Sequence, residues 1–296
     1  MPLRFEGVHR GIGERIQPLL RSFGGKATYL LSPEVLRDGR CVEMLAALPG
    51  CELGTHLHGE MAQPGALVPD VTRDVQRDYP RDLERAKLAS LTASFHSGLG
   101  RPPSSFRAGR FGVGPHTVPI LEELGYAVDS SVTPGIDWSE VSPGLSFVGA
   151  PHQPYHPDRG APGRRGAARL LEVPVTTAPR RASRIPVVGR LAGPRWLRPT
   201  RASGRTLLRT AREAVRTNLR DRDGRPVVLN AMLHNVEVVP GASPYAATYG
   251  QANAILERLA TLLSWARAEG IACIGLSDVA DVLAEGAATS REPWIR

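Results

Sequence analysis

The chain alternates between two spacings of apolar residues. Ile12, Ile16, Leu19 and Leu20 recur at helical intervals and predict a first helix. Lys26 to Leu31 then reads as a buried strand. Ser32-Pro33-Glu34 opens a second helix, with serine as N-cap and proline at the first helical position, expected to run to Pro49-Gly50. A short apolar strand leads to His56. Beyond a proline- and glycine-marked loop over 64–69 lies a long predicted helix, 79–99. Ser105-Phe106-Arg107 predicts a strand, 115–124 a helix and 126–129 another strand. From 142 to 225 the pattern lapses, and only a strand over 170–175 and a helix over 206–219 stand out. Order returns with an apolar strand over 226–233 that ends at His234. An amphipathic helix over 245–268 then buries Ile255, Leu256, Leu259, Leu262 and Leu263, with Ser243 a candidate cap. A last strand over 271–274 and a helix capped by Ser277 complete the pattern.

Strands alternating with helices imply an α/β protein with a mainly parallel sheet or barrel, whose sites form at the strands' C-terminal ends. The notable polar residues fall there: His56 and His58, Arg107, Asp129, and His234. Side chains at i, i+2 and i+4 of an extended chain project to one face. His56, His58 and Glu60 therefore converge if the strand stays extended. Neutral imidazoles and a carboxylate are ligands that a borderline cation such as zinc takes. A polar loop with two solvated histidines is the plainer alternative.

At 296 residues, 42% of them hydrophobic, the chain is expected to form one domain over 1–296 around a substantial core. It contains no run of eighteen apolar residues, so no transmembrane helix is expected. The first residues lack the pattern of a secretory signal, and three widely spaced cysteines suit reduced thiols, which makes a cytoplasmic location the expectation. The net charge of +8 is uneven. Residues 159–225 carry eighteen arginines against four acids, within an Arg/Pro/Gly-rich insertion over 155–225. That segment is either a solvated insertion or an anion-facing surface. No helix-turn-helix, zinc-finger or aromatic RNA-binding pattern accompanies it, so nucleic acid is not an expected partner.

Four blocks in order resemble the NodB-type polysaccharide deacetylases, carbohydrate esterase family four, and more narrowly a WalW-like subgroup associated with surface-glycan genes. They are Glu52-Leu53-Gly54-Thr55-His56-Leu57-His58, Phe106 to Gly112, Asp129 to Val132 with Asp137-Trp138, and Leu233-His234-Asn235-Val236-Glu237. The resemblance covers nearly the whole chain and implies a distorted (β/α) barrel of that family's type. It further implies a divalent metal, zinc by preference, and a hydrolase that removes acetyl groups from N-acetylated sugars of a bacterial surface polysaccharide or its precursor. Carried over residue by residue, His56 and His58 become metal ligands, His234 the general acid, and Arg107 the group orienting a catalytic carboxylate, with Arg110 its rival. Asp129 supports the His234 imidazole or the substrate. Trp138 stacks on a sugar ring or packs in the core.

Two departures stand out. The family commonly spaces two histidines four residues apart, whereas the residue four after His56 is Glu60, so either His58 or Glu60 is the expected second ligand. The family's opening strand, with the aspartates that supply a base and a ligand, has no counterpart here. The expectation is a chain that begins late and lacks this first strand. The alternative is a catalytically inactive deacetylase-like protein that binds carbohydrate.

Overall fold

The computed structural model describes residues 5–64, 74–179, 193–220 and 225–289. The loop expected over 64–69 lies almost wholly outside them. A π-helix, Gly7–Ile16, runs into α1, Gln17–Ser22. Strand β1 is Ala27–Leu31. The single helix expected from Pro33 to Pro49 is two: α2, Pro33–Arg37, and α3, Gly39–Ala46. The break falls at Asp38, whose extended backbone and side chain begin α3 afresh, the carboxylate accepting from the N–H of Cys41 at 2.8 Å. Ser32 makes no side-chain cap.

Strand β2 is Cys51–Leu57, followed by α4, Arg81–Leu99, which Gly100 ends in the left-handed region with its N–H on the His96 carbonyl. Strand β3 is Ser105–Ala108, helix α5 Thr117–Glu123, strand β4 Val128–Asp129 and strand β5 Leu171–Glu172. These five strands form one parallel sheet in the order β1-β2-β3-β4-β5. A two-stranded antiparallel ribbon, β6 (Thr177–Ala178) with β7 (Arg195–Trp196), precedes α6, Gly204–Arg220. Then come α7, Tyr249–Ala268, and α8, Asp278–Thr289. Thr248 caps α7 in a reciprocal arrangement with Gln251, so Ser243 is not its cap.

Two expected strands, 226–233 and 271–274, form no ladder. The first lies beside the residues after β5, yet its backbone pairs largely with side chains: Val228 N–H with Gln153 Oε1 at 2.8 Å and Asn230 N–H with Thr176 Oγ1 at 2.7 Å. The second meets β1's edge, Lys26 N–H donating to the Cys273 carbonyl at 3.0 Å and Leu276 N–H to Thr28 Oγ1 at 2.8 Å. Val228 and Leu276, from the two flanking segments, pack on one cluster with Val128, Leu171, Val173 and Val279. The edges of the sheet are thereby covered by extended chain, an α/β architecture curled in the manner of a distorted barrel.

The main core lies between the sheet and the helices. Leu88, Leu91 and Phe95 of α4 are fully buried with Leu57, Phe106 and Ile120. Full burial of each large apolar side chain contributes about 2–3 kcal/mol. Phe106 meets Tyr126 edge-on, ring centroids 5.8 Å apart. Close strand approach demands glycine at 54, where a Cβ would lie 2.6 Å from the Ser105 carbonyl oxygen and 2.8 Å from Leu30. Gly54→Ala is accordingly expected to destabilise the fold by about 1–3 kcal/mol. At Gly39, where a Cβ would meet nothing within 4 Å, alanine is expected to be neutral or stabilising by up to about 1 kcal/mol. Denaturant unfolding of both variants checks this, and equal effects would contradict it.

Candidate active site at the strand ends

Register brings the site together. His56 on β2 is the Cα partner of Arg107 on β3, Phe106 that of Asp129 on β4, and Asp129 that of Glu172 on β5. His56 donates through Nδ1 to the Arg107 carbonyl at 2.8 Å, which leaves Nε2 with the lone pair. Burial, then the neighbouring His58, push the His56 pKa down to about 3, with smaller contributions from Arg107 and from His234, so the ring stays neutral. The His58 ring stands edge-on to it, centroids 4.7 Å apart. Gly109 is required beside them, since a Cβ there would lie 2.5 Å from the Leu57 carbonyl oxygen and 3.4 Å from His58 Nδ1.

The chain does not stay extended to Glu60. Strand β2 ends at Leu57, and a 3-10 turn, Gly59–Met61, folds Glu60 inward. Two contacts enforce the turn. Lys87, buried on α4, donates to the carbonyls of Gly59 and Ala62 at 2.8 Å each, and Tyr79 packs against Gly59. The Glu60 carboxylate then pairs with Arg110 at 3.0 Å, with His58 Nδ1 3.6 Å away. Burial alone would raise the Glu60 pKa, but His58 and Arg110 together hold it well below the usual carboxylate range. Arg110 also donates to the Asp74 carbonyl at 2.7 Å. Among the described residues, His56, His58 and Glu60 do not gather their donor atoms into one ligand sphere. Glu60 braces His58 instead.

Arg107 is half-buried and turns to β4, donating through Nε to the Ser130 carbonyl and through NH2 to Ser130 Oγ, both at 2.7 Å. Burial lowers its pKa to about 10, which leaves it charged at neutral pH. Asn230 Nδ2 donates to the same Ser130 hydroxyl at 2.8 Å. Asp129 accepts from Ser130 N–H at 2.7 Å and from the Ser131 hydroxyl. It therefore does not support His234; that place is taken by Glu237, 2.9 Å from His234 Nδ1. Glu237 is buried and also accepts from Arg198 and Thr200, while the His234 side chain is 55% exposed. Burial would raise the Glu237 pKa, but His234, Thr200 and Arg198 bring it down to about 2. A permanent carboxylate on Nδ1 fixes the tautomer and leaves Nε2 facing outward for proton transfer.

Sequence reasoning passed over Glu172, Glu237, Arg198 and Lys87. The signal for Glu172 was a lone acid in an apolar run, and for Glu237 its place three residues after His234. Glu172 forms a buried carboxyl pair with Asp129, and burial pushes Asp129 up to about 6 and Glu172 well above its usual range. Both shifts favour the protonated form, so the pair holds a proton to higher pH than exposed carboxyls do. Arg110 and Phe111 occupy the left-handed region, φ 53° and 56°, a conformation that costs a non-glycine residue about 1 kcal/mol or more. This reversal aims Arg110 at Glu60 and Phe111 at an aromatic cluster. Phe111 stacks on Trp138 with centroids 5.7 Å apart, and Trp196 closes the group at 5.5 Å from Phe111. His152 is exposed, yet partial desolvation lowers its pKa, and His156 Nδ1 lies 3.1 Å from the Leu170 carbonyl.

Two neutral imidazoles are donors that a divalent cation takes, although among the described residues no third imidazole, thiol or carboxylate lies at ligand spacing from both. His56 has its Nδ1–H committed to a backbone carbonyl, the arrangement that orients a metal-binding imidazole, and His58 is braced by a carboxylate.

The raised pKa values of Asp129 and Glu172 make stability depend on pH. Folded-state values above the unfolded ones contribute stability that is full below about pH 4 and is lost as pH rises through the folded values. The wild type is expected to lose stability as pH rises from about pH 4 through about pH 6. Glu172→Gln, whose amide donates to Asp129 at every pH, should flatten that decline. Melting temperatures of both across this range check it, and parallel curves would contradict it.

No family model matches the sequence, and neither does any curated protein. Solved structures do match in fold. A Mycobacterium smegmatis protein described as a polysaccharide deacetylase aligns over 96% of this chain and 80% of its own, with 18% identity and a TM-score of 0.56. The allantoinase PuuE aligns over 98% of this chain and 76% of its own, with 17% identity and a TM-score of 0.56. The likeness is one of fold: the chain has the α/β architecture that these two proteins share.

Proposed function

We propose that the chain is a divalent-metal-dependent hydrolase of amide carbon–nitrogen bonds, acting on N-acetylated sugars of a bacterial surface glycan or its precursor. The observation that carries this reading is the pairing of His56, its tautomer set by the Arg107 carbonyl, with His58 at the strand ends and His234 close enough to act on its charge. His56 and His58 would hold the cation, zinc by preference. When bound, such a cation supplies Lewis-acid polarisation of the amide carbonyl.

In this reading His234 hands a proton from Nε2 to the leaving amine, which departs poorly as an anion. Glu237 stabilises the imidazolium that must form beforehand, and Arg198 and Thr200 keep that carboxylate in position. Arg107 holds β3 and β4 in register through Ser130. Phe111, Trp138 and Trp196 offer ring faces of the kind that stack on the apolar side of a pyranose. The fold neighbours support this reading, since one is described as a polysaccharide deacetylase and the other is an allantoinase.

A second reading is a carbohydrate-binding protein without turnover. Glu60 and Glu237 are each engaged by hydrogen-bonding neighbours, and the second oxygens of Asp74 and Asp129, which have no hydrogen-bond partner among the described residues, are buried, so none of these carboxylates is openly presented to water as a base.

Acetate release from N-acetylglucosamine oligosaccharides, with zinc supplied, separates the two. Hydrolysis is expected in the wild type and none in His56→Ala. Glu237→Gln should lower kcat roughly 10²-fold with little change in KM, as expected for loss of support to a general acid. Unchanged turnover in His234→Ala would contradict the hydrolytic reading. Sugar binding without any acetate release would favour the second.

A further inference from the structure

A second group of metal-binding side chains lies away from the strand ends. His9 projects from the π-helix Gly7–Ile16, and Asp38 and Cys41 belong to the first turn of α3. One ligand atom from each lies within 4.8 Å of the other two. Cys41 Sγ and His9 Nε2 are 3.6 Å apart. Zinc bound tetrahedrally at about 2.3 Å from sulfur and about 2.0–2.1 Å from nitrogen separates those two ligands by about 3.6 Å. Asp38 Oδ1 accepts from the Cys41 N–H, and its carboxylate lies against the Cys41 thiol. The chain thus already presents sulfur, nitrogen and oxygen donors at ligand spacing, with Cys41 fully buried.

We propose that His9, Asp38 and Cys41 form a structural site for a zinc-like divalent cation, with water completing the coordination. The site shares no residue with the His56–His58 pair and does not depend on the hydrolytic reading. Its donor set of thiolate, imidazole and carboxylate suits zinc and cobalt and excludes magnesium and calcium, which take oxygen alone. Without the cation the thiol stays protonated, because burial and then the Asp38 carboxylate push it up to about 12. A cation replaces that proton on sulfur and releases it to solvent.

The placement explains what such a cation would do. Gly7 and Gly11 lie on one face of the π-helix, His9 between them on another. That glycine face abuts the turn after His234: a Cβ at Gly11 would lie 2.4 Å from the Asn235 carbonyl oxygen, and one at Gly7 would lie 2.7 Å from Val236. The turn, Asn235–Val238, carries Glu237, the partner of His234. A cation joining His9 to α3 clamps the helix from behind and so secures the surface against which the His234 turn rests.

Cobalt(II) titration of the purified full chain tests this, because thiolate bound to cobalt gives an intense near-ultraviolet charge-transfer band that His56 and His58, having no sulfur partner, cannot produce. The band is expected in the wild type, in His56→Ala and in the double variant Cys51→Ser/Cys273→Ser. It is expected to vanish in Cys41→Ser. Because Cys41 is buried and its loss can itself weaken the fold, His9→Gln is the second variant, expected to weaken cobalt binding at this band at least tenfold. Absence of the band in the wild type would overturn the proposal, leaving a thiol–imidazole hydrogen bond. So would a band that survives Cys41→Ser, or binding unchanged by His9→Gln.

Discussion

The hydrogen bond from His56 Nδ1 to the Arg107 carbonyl is the contact on which the rest of the site depends. It exists because β2 and β3 run parallel in a register that sets His56 beside Arg107. A one-residue slip would turn every side chain of β2 to the opposite face. The register is held at the other end of the same strand by Glu52, whose carboxylate accepts from Thr28 on β1, from Ser105 on β3 and from the Ser277 N–H ahead of α8. A single buried carboxylate thus ties three elements together, and the C-terminal end of β2 delivers its imidazole in one tautomer.

Around this point the charges are paired before any ligand arrives. Arg107 spends its donors on Ser130, Glu60 is answered by Arg110, and Glu237 by Arg198, Thr200 and His234. Asp129 and Glu172, two buried carboxyls on adjacent strands, are both pushed toward the protonated form by burial, which lessens the charge there. Buried polar groups without partners are costly, so such a network rigidifies the strand ends. Rigid strand ends are a sound platform for ligand imidazoles, whose angular tolerance is small.

Much of the fold was legible because its signals are local. The apolar runs ending at Leu31, Leu57 and Ala108 became strands, and the spacing of Ile255, Leu259, Leu262 and Leu263 became the buried face of α7. The misses are long-range. Val227 to Leu233 is as apolar as any strand in the chain, yet Gln153 and Thr176 take its backbone groups and no ladder forms. Asp38 looked like one more polar helical residue, but its carboxylate restarts the helix. In the site, the alternation His56, His58, Glu60 suggested convergence, and only Lys87 and Tyr79, distant in sequence, reveal why Glu60 turns away. Arg198 was hidden among the arginines of 159–225, since nothing in its neighbours says that it faces Glu237. The Arg205, Arg209, Arg212 and Arg216 face of α6 shares a groove with Leu208 and Glu213, and its spacing alone would have marked that stripe.

X-ray absorption at the zinc edge of zinc-loaded Cys41→Ser protein tests the central claim most directly. That variant removes sulfur from the His9 site and isolates the strand-end centre. The account predicts retained zinc with nitrogen and oxygen neighbours only and the outer-shell scattering of two imidazoles, both lost when His56→Ala is added. Zinc that binds without imidazole scattering, or that persists unchanged in the double variant, would contradict a metal centre built on His56 and His58.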